Sequence, residues 1–257
     1  MLFFIFFGNV TRLLESNSYV RCIFIDFCKA FDTVCHEILL HKLVTLKFPQ
    51  YVINWLAGHF LTDRTQSVGQ SASLQITRSI VQGSGIRPYA FLVMIADLQP
   101  SHPDICYSKY ADDLTAVIPA AISHLAVSEF GHINDWSATN KLLINLSKTK
   151  EMIICRPGNR AKPTFPEPIT GIEQIHTIKL LGVTFSDNLS FAPHLDNTLC
   201  SVSQRFYLRK QLKIRDLNQT ALDIVFHSLV LNKITYASQS FSGYLYSNNT
   251  LTDCRQY

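Results

Sequence analysis

The chain has 257 residues, of which 47% are hydrophobic and 16% are charged, and its formal net charge is +4 at pH 7. This composition excludes a disordered or low-complexity chain and supplies enough apolar residues for a core. The mildly basic balance is compatible with a nucleic-acid partner but does not require one.

The seven cysteines are irregularly spaced and form no CxxC pair. This pattern argues against a zinc site of the usual spacing and favours buried, reduced thiols in an intracellular protein. We therefore expect the protein in the cytoplasm, the nucleus or both, and we do not expect it to be secreted.

The first residues, Met1 to Phe7, are strongly apolar but too short to span a bilayer. They lack a basic flank and a cleavage site, so we expect a core segment exposed at a truncated chain end. A degenerate signal peptide is the alternative. No membrane attachment is expected.

The next elements follow from apolar spacing. Arg21 to Phe27 is a compact apolar run that predicts a buried strand presenting Asp26 at its end. Helical spacing predicts helices from His36 to Lys47 and from Pro49 to Phe60. Loose alternation from Ser67 to Val81 predicts a hairpin.

The middle of the chain begins with a turn cluster at Gln82 to Gly85. An apolar helix is predicted from Pro88 to Leu98. Strands are predicted from Ile105 to Tyr110 and from Leu114 to Ile118, joined by a tight turn at Ala111 to Asp113.

A long helix is predicted from Ala120 to Leu143, broken only at Gly131. Strands are predicted at Glu151 to Cys155 and Ile178 to Phe185, joined by a proline-rich surface connection from Pro157 to Pro168.

From Phe191 onwards the pattern is almost entirely helical, which places a domain boundary near Asp187 to Ser190. Strands mixed with helices and followed by helices alone predict an α+β core with a helical appendage. We divide the chain into residues 1–188 and 189–257.

Two acidic positions carry the candidate chemistry. Asp26 ends a predicted strand, and Asp112 and Asp113 occupy a predicted turn between strands. A sheet can bring such carboxylates together, and carboxylate oxygens are the ligands that Mg²⁺ prefers. The alternative is an ordinary turn, in which Asp is common.

The order of several motifs resembles the reverse transcriptases of non-LTR retrotransposons. These motifs are Phe24 to Val34 (FIDFCKAFDTV), Trp55 to Gln66, Val81 to Gly85, Tyr110-Ala111-Asp112-Asp113, Asn140 to Lys150, and Leu180-Leu181-Gly182-Val183. Each motif is weak alone, whereas the ordered series from about Tyr19 to Tyr244 is specific.

The resemblance implies an RNA-directed DNA polymerase that adds dNTPs to a DNA primer on an RNA template. Asp26, Asp112 and Asp113 would be catalytic carboxylates that bind two Mg²⁺ ions, with Mn²⁺ as a possible substitute. The backbone carbonyl of Phe27 would complete one coordination sphere.

Other roles carried over from the family concern the nucleotide. Phe31 would exclude a 2′-hydroxyl, or it is a core phenylalanine. Gln82 and Gly83 would contact the incoming nucleotide and the template. Lys148 would act on the leaving pyrophosphate, or it is a solvated surface lysine.

The implied fold is a right-hand polymerase palm, an antiparallel sheet with helices on one face, followed by a helical thumb-like region, with the fingers mostly missing. Arg205, Arg209 and Lys210 would grip duplex phosphates in that region. A plain solvated helix face is the alternative for each of them.

The chain departs from the family pattern at several places. Only 25 residues precede Asp26, where the family has a fingers region. Arg87 stands where glycine is usual, and either perturbs the second motif or binds a phosphate. Cys28 replaces a serine and Lys141 replaces a frequent glycine. We expect Asp32 to cap the helix that begins near Val34.

The missing fingers lead us to expect weak or no activity of this chain alone, because phosphoryl transfer depends on positioning. The competing interpretation is a catalytically inactive nucleic-acid-binding remnant or domesticated copy. An unrelated α+β protein with chance matches is a third.

Overall fold

The computed structural model describes residues 2–62, 64–67, 69, 72–80, 83–156 and 164–245. Its helices are α1 (Leu2–Ser16), α2 (Ala30–Thr33), α3 (His36–Thr45), α4 (Gln50–Leu56), α5 (Arg87–Met94), α6 (Ala126–Thr139), α7 (Ala192–Ile214), α8 (Gln219–Phe226), α9 (Asn232–Thr235) and α10 (Ser238–Leu245). Its strands are β1 (Tyr19–Ile25), β2 (Thr65–Gln66), β3 (Leu74–Gln75), β4 (Cys106–Tyr110), β5 (Asp113–Pro119), β6 (Lys150–Cys155), β7 (Glu173–Gln174), β8 (Thr177–Leu180) and β9 (Val183–Ser186). Shorter helical turns extend α4 through Ala57–Leu61, precede α6 at Ala120–Leu125, and follow α8 at His227–Leu231.

The central sheet has five strands in the order β4-β5-β1-β6-β7. All of its pairs are antiparallel except β6 with β7. Strand β1 lies in the middle and is buried along its whole length. A strand covered on both faces is expected to read as a nearly continuous apolar run, which is how this segment reads.

Alternating residues of β1 feed two cores, one on each face of the sheet. Ile23 and Ile25 face a core built with α3, α5 and α6, whereas Cys22 and Phe24 face a core built with α1 and the β8–β9 hairpin. The α+β class is therefore confirmed. The prediction that helices cover only one face of the sheet is wrong, because α1 covers the second face.

The second core is rich in phenylalanine. Phe3 and Phe7 of α1 pack their rings against Phe185 of β9 and Phe191 before α7. Phe191 also stacks on Phe241 of α10, with ring centroids 5.5 Å apart. The apolar start of the chain is thus a core segment, and the described helices include none that is long and apolar enough to cross a membrane.

Several element predictions are confirmed and two are wrong in detail. The strand before Asp26, the two strands around the Ala111–Asp112 turn and the helices near α3, α4 and α5 lie where expected. Gly131 does not break α6, because an isolated glycine weakens a helix by only about 1 kcal/mol. The segment from Ile178 to Phe185 is two strands that turn at Leu181 and Gly182, both with positive φ.

Other expectations are confirmed only in part. The hairpin expected from Ser67 to Val81 pairs Thr65–Gln66 with Leu74–Gln75, so it begins earlier. Residues 157–163 of the proline-rich connection lie outside the described residues, and 164–168 form no regular element.

A buried ion pair crosses from β1 to β6. Arg21 Nε lies 2.5 Å from Glu151 Oε1, and their side chains are 3% and 0% exposed. The Arg21 guanidinium also donates to the carbonyls of Ser123 and Glu167, while Glu151 accepts from the Ile169 N–H. These hydrogen bonds satisfy both buried charges. Removal of either partner would leave the other charge buried and unpaired.

Candidate functional site

Asp26 follows the last residue of β1, and its backbone is held from the β6 side. Its N–H donates to Thr149 Oγ1 at 3.3 Å, and its carbonyl accepts from the Asn145 N–H at 2.7 Å. Thr149 is fully buried. The half-buried carboxylate of Asp26 therefore starts from a fixed backbone position.

The strand register puts the second acidic position next to the first. Ile25 pairs with Leu114, and Tyr110 pairs with Asp113 across the β4–β5 turn. One further step along β1 brings Asp26 opposite Asp113. Residues far apart in sequence thus meet at one end of the sheet.

The turn itself is strained. Ala111, its first central residue, has φ +48°. A residue with a Cβ loses roughly 1–2 kcal/mol in this left-handed region. The two paired strands hold the turn in this conformation, and Asp112 is its second central residue.

The three carboxylates form a negative region. Asp113 keeps an exposed surface, yet loss of hydration raises the pKa of its carboxyl, and the charges of Asp112 and Asp26 raise this pKa further. No Lys, Arg or His of the described chain forms an ion pair with these acids. A divalent cation would relieve this repulsion, although the described side chains form no ready-made group of three or more His, Cys, Asp or Glu ligands.

The residue after Asp26 is Phe27, and the pairing around it fixes the direction of its carbonyl. Phe27 bridges to Ile144 as an antiparallel pair whose two hydrogen bonds, each 2.7 Å, are made by the residues on either side of the pair. In such a pair, the N–H and C=O groups of the bridging residues point away from each other. The Phe27 carbonyl is therefore directed away from the α6–β6 connection and toward the β5 side of β1, where the acidic turn lies.

Phe31 lies on α2 and is half-buried. Its ring packs against Phe91 of α5, with centroids 5.3 Å apart, and against the Arg87 guanidinium, whose Cζ is 4.5 Å from the ring centroid. Arg87 also pairs with Asp32, from Nη2 to Oδ1 at 3.3 Å. The expected cap by Asp32 is wrong, because α3 begins only at His36 and Asp32 turns to the cation instead.

The second motif reaches the same region through the chain that precedes it. The Ile80 N–H donates to the Phe31 carbonyl at 3.1 Å. Gln82 lies outside the described residues. Gly83 has φ +81°, which a residue with a Cβ rarely adopts, so glycine is needed here for its backbone conformation.

Lys148 belongs to the turn that holds Asp26. Its N–H donates to the Asn145 carbonyl at 3.1 Å, and its side chain is exposed. This position puts a flexible cation a few residues along the chain from the contacts to Asp26.

The three cations of α7 are not equivalent. Arg205 donates to the Leu229 carbonyl, and Arg209 lies 3.7 Å from the Asp223 carboxylate. Lys210 is exposed. The two arginines thus contact the neighbouring helical segments and do not pair with Asp26, Asp112 or Asp113. Lys210 is the more accessible cation.

A groove of about 850 Å³ adjoins the acidic turn. Its lining includes Tyr110, Leu181, Tyr236 and Phe4. The Tyr236 hydroxyl donates to the Leu181 carbonyl at 2.9 Å, and a Cβ on Gly182 would lie 3.2 Å from the Tyr236 ring. Glycine at this position therefore permits the close approach of the ring to the β8–β9 turn.

Sequence reasoning did not identify Asn145 and Thr149 as supports of Asp26, nor the contact between Arg87 and Phe31. Asn145 and Thr149 lie inside the motif from Asn140 to Lys150, whose sequence gives no signal for either contact. The Arg87 contact had a weaker signal, a cation where the family usually has glycine.

The family model for reverse transcriptase (RNA-dependent DNA polymerase) matches residues 7–185, which is more than half of the chain. The match includes the acidic positions and the second motif. It ends within β9, before the helical region.

Curated relatives carry the same description. The chain is 28% identical over 202 residues to the RNA-directed DNA polymerase from mobile element jockey of Drosophila melanogaster, covering 72% of the chain and 21% of the relative. It is 26% identical over 219 residues to the probable RNA-directed DNA polymerase from transposon BS of the same species, covering 79% and 24%. The chain thus spans about a quarter or less of the length of these relatives.

A telomerase structure from Candida tropicalis, in complex with a TWJ fragment of telomeric RNA, has a similar fold. It aligns with a TM-score of 0.53 at 11% identity, over 95% of this chain and 43% of that one. This likeness concerns the fold alone. Together with the family match and the curated relatives, the ordered motifs show that the chain belongs to the reverse transcriptase family, as a reverse transcriptase domain of the non-LTR retrotransposon type.

Proposed function

We propose that this chain is the catalytic palm of an RNA-directed DNA polymerase, which extends a DNA primer with dNTPs on an RNA template. The observation that carries the proposal is the meeting of Asp26 with the Asp112–Asp113 turn at one sheet end. The raised pKa of Asp113 supports it, because carboxylates that repel one another and pair with no cation of the described chain suit a site that binds cations.

In this proposal Asp26, Asp112, Asp113 and the Phe27 carbonyl hold two Mg²⁺ ions, for which Mn²⁺ can substitute. The ions would supply activation of the primer 3′-hydroxyl and neutralisation of the leaving pyrophosphate. The protein's own contribution is positioning, which the hydrogen bonds that hold Asp26 and the paired strands around the turn support.

The remaining site residues receive roles by position. Phe31 faces the sugar of the incoming nucleotide and excludes a 2′-hydroxyl, while Gln82 and Gly83 approach the nucleotide and template. Lys148, exposed and flexible, meets the pyrophosphate. The groove lined by Tyr110 and Tyr236 receives the primer end.

We further propose that residues 1–188 form the palm with a residual fingers segment, and that 189–257 form a thumb-like region. Lys210 is the best-placed phosphate contact of that region because its side chain is exposed. Arg205 and Arg209 would first have to leave their contacts with Leu229 and Asp223.

Metal binding and extension test the proposal separately. Mg²⁺ should raise the melting temperature of the wild-type chain, and Asp112→Asn should remove that rise. Exposed Asp135 of α6 provides the matched control, since Asp135→Asn should keep the Mg²⁺ effect. Primer extension on an RNA template, which we expect to be weak for this chain alone, should depend on Mg²⁺ and disappear in Asp112→Asn.

A competing function is nucleic-acid binding without catalysis, to which the exposed cation Lys210 of α7 would contribute. It predicts salt-dependent binding of an RNA–DNA duplex with neither Mg²⁺ stabilisation nor extension. That combination of results would refute the polymerase proposal.

A further inference from the structure

Arg87 is fixed on the ring of Phe31 by more than one contact. Its guanidinium Cζ lies 4.5 Å from the ring centroid, and its Nη2 lies 3.3 Å from Asp32 Oδ1. The side chain is 21% exposed, and within the described chain its Nε is buried without a hydrogen-bond partner. A planar guanidinium that stacks on an aromatic face tolerates this environment, because it is weakly hydrated.

The ring of Phe31 is consequently confined by two neighbours. Phe91, a fully buried residue of α5, contacts it with centroids 5.3 Å apart, and Arg87 of the same helix covers it as well. Both contacts come from one helix, so the position of the ring follows the position of α5. Asp32 holds the guanidinium in place.

We propose that Arg87 is a positioning residue that acts through Phe31 and sets selectivity between deoxyribonucleotides and ribonucleotides. The inference rests on the proposed function in one respect, that Phe31 faces the sugar. It adds a residue that the family pattern does not supply, because glycine is usual at this position.

The physical reason lies in how a hydroxyl is rejected. An apolar surface that can yield discriminates poorly against a substrate that merely carries an additional hydroxyl. Rejection therefore requires a ring that cannot move aside, and positions in such sites must be held to about half an ångström. The guanidinium on one part of the ring and Phe91 on another supply that restraint.

A direct phosphate contact by Arg87 is a different role with a different signature. A cation that binds the triphosphate favours deoxyribonucleotides and ribonucleotides alike, so its loss raises KM for both without changing their ratio. The ratio of the two kcat/KM values therefore distinguishes positioning of Phe31 from phosphate binding.

The experiment measures kcat/KM for a dNTP and for the matching rNTP on one RNA template with a DNA primer. Arg87→Met, which keeps the length of the side chain but removes the charge and the planar group, should lower the dNTP preference by about two- to fivefold. Arg87→Lys should also lower it, because an ammonium does not stack as a planar group does. Exposed Arg156 supplies the matched control, and Arg156→Met should leave the ratio unchanged.

A double variant tests whether Arg87 acts through the ring. Phe31→Val should reduce the preference further, and adding Arg87→Met to it should change little, since the ring on which Arg87 acts is gone. An unchanged ratio in Arg87→Met, a proportional rise of both KM values, or fully additive effects in the double variant would each overturn the inference.

Failure of the proposed function is recognised separately. If wild-type protein extends the primer and Asp112→Asn does not, the function holds and the ratio alone decides the role of Arg87. If wild-type protein shows neither Mg²⁺ stabilisation nor primer extension, the proposed function fails, and the claim about nucleotide selectivity fails with it. Urea unfolding then still tests whether Arg87 and Phe31 interact. Losses of unfolding free energy that add up for Arg87→Met and Phe31→Leu would show that the two side chains are not coupled.

Discussion

At the ends of α3, α6 and α7, a residue with a side chain adopts the left-handed conformation that usually requires glycine. Lys47 after α3, Lys141 after α6 and Asp216 after α7 have φ values of +57°, +57° and +62°. Each donates its N–H to the carbonyl three residues earlier, and the next residue donates to the carbonyl five residues earlier. This pair of hydrogen bonds is the common glycine-dependent helix ending.

The geometry predicts that glycine at these positions stabilises the protein. A side chain in this region costs roughly 1–2 kcal/mol, whereas glycine loses about 0.5–1 kcal/mol more backbone entropy on folding. The net gain is about 0.5–1 kcal/mol for each lysine, whose exposed side chains leave little packing to lose. Aspartate tolerates the conformation better, so the gain at Asp216 is smaller.

Thermal and urea unfolding of Lys47→Gly, Lys141→Gly, Asp216→Gly and the triple variant measure these gains. The sites terminate different helices, so their effects should add to about 1.5–2 kcal/mol and raise Tm by roughly 3–8 °C. Lys210→Gly, in the middle of α7, is the control and should lose about 1 kcal/mol. A Lys141→Gly protein that is no more stable than wild type would refute the reasoning.

Three further outcomes are expected. Urea unfolding of Glu151→Ala should show a loss of about 3–5 kcal/mol, and Arg21→Met with Glu151→Leu should recover most of it, because only the single change leaves a buried charge unpaired. In metal-free protein, the raised pKa of Asp113 means that folding stability falls as the pH rises from the unfolded-state pKa through the folded-state pKa. Measurements of Tm against pH should therefore show that Asp113→Asn stabilises the protein at pH 7. Below both pKa values the substitution should have no effect on Tm. Titration of an RNA–DNA duplex at several salt concentrations should show a slope reduced by about one for Lys210→Ala, whereas Arg209→Ala should mainly lower stability.

The elements that carry the acids could be predicted because their signals are local. The apolar run before Asp26 and the two short strands around Ala111–Asp112 are recognisable without knowing their partners. Their meeting could not be derived from local pattern, since the pairing of Ile25 with Leu114 joins distant segments. The family resemblance predicted that meeting, and the register agrees with it.

Other features depended on tertiary contacts. The stretch from Met1 to Phe7 is recognisably apolar in sequence, but the helical form of residues 2–7 and the packing of Phe3, Phe6 and Phe7 on the second sheet face require the phenylalanines of β9 and of the region before α7. At the Leu181–Gly182 turn the glycine is the sequence signal, whereas Leu181 argues against a turn because a leucine rarely adopts the positive φ that it has here. Asp32 was predicted only as a helix cap, and its ion pair with Arg87 depends on the packing of α5 against α2.

The same left-handed conformation has opposite meanings at Ala111 and at Lys141. At Lys141 the exposed side chain makes one weak hydrogen bond, from Nζ to Cys35 Sγ at 4.0 Å, so the strain is mainly a loss of stability. At Ala111 the strained residue immediately precedes Asp112, in a turn clamped by paired strands. Glycine there would relieve strain but admit more backbone conformations, and the direction of Asp112 would be less sharply defined. The strain at Ala111 therefore helps to fix the direction of Asp112, which a site built from separate strand ends needs. The strain at the helix ends fixes no site residue.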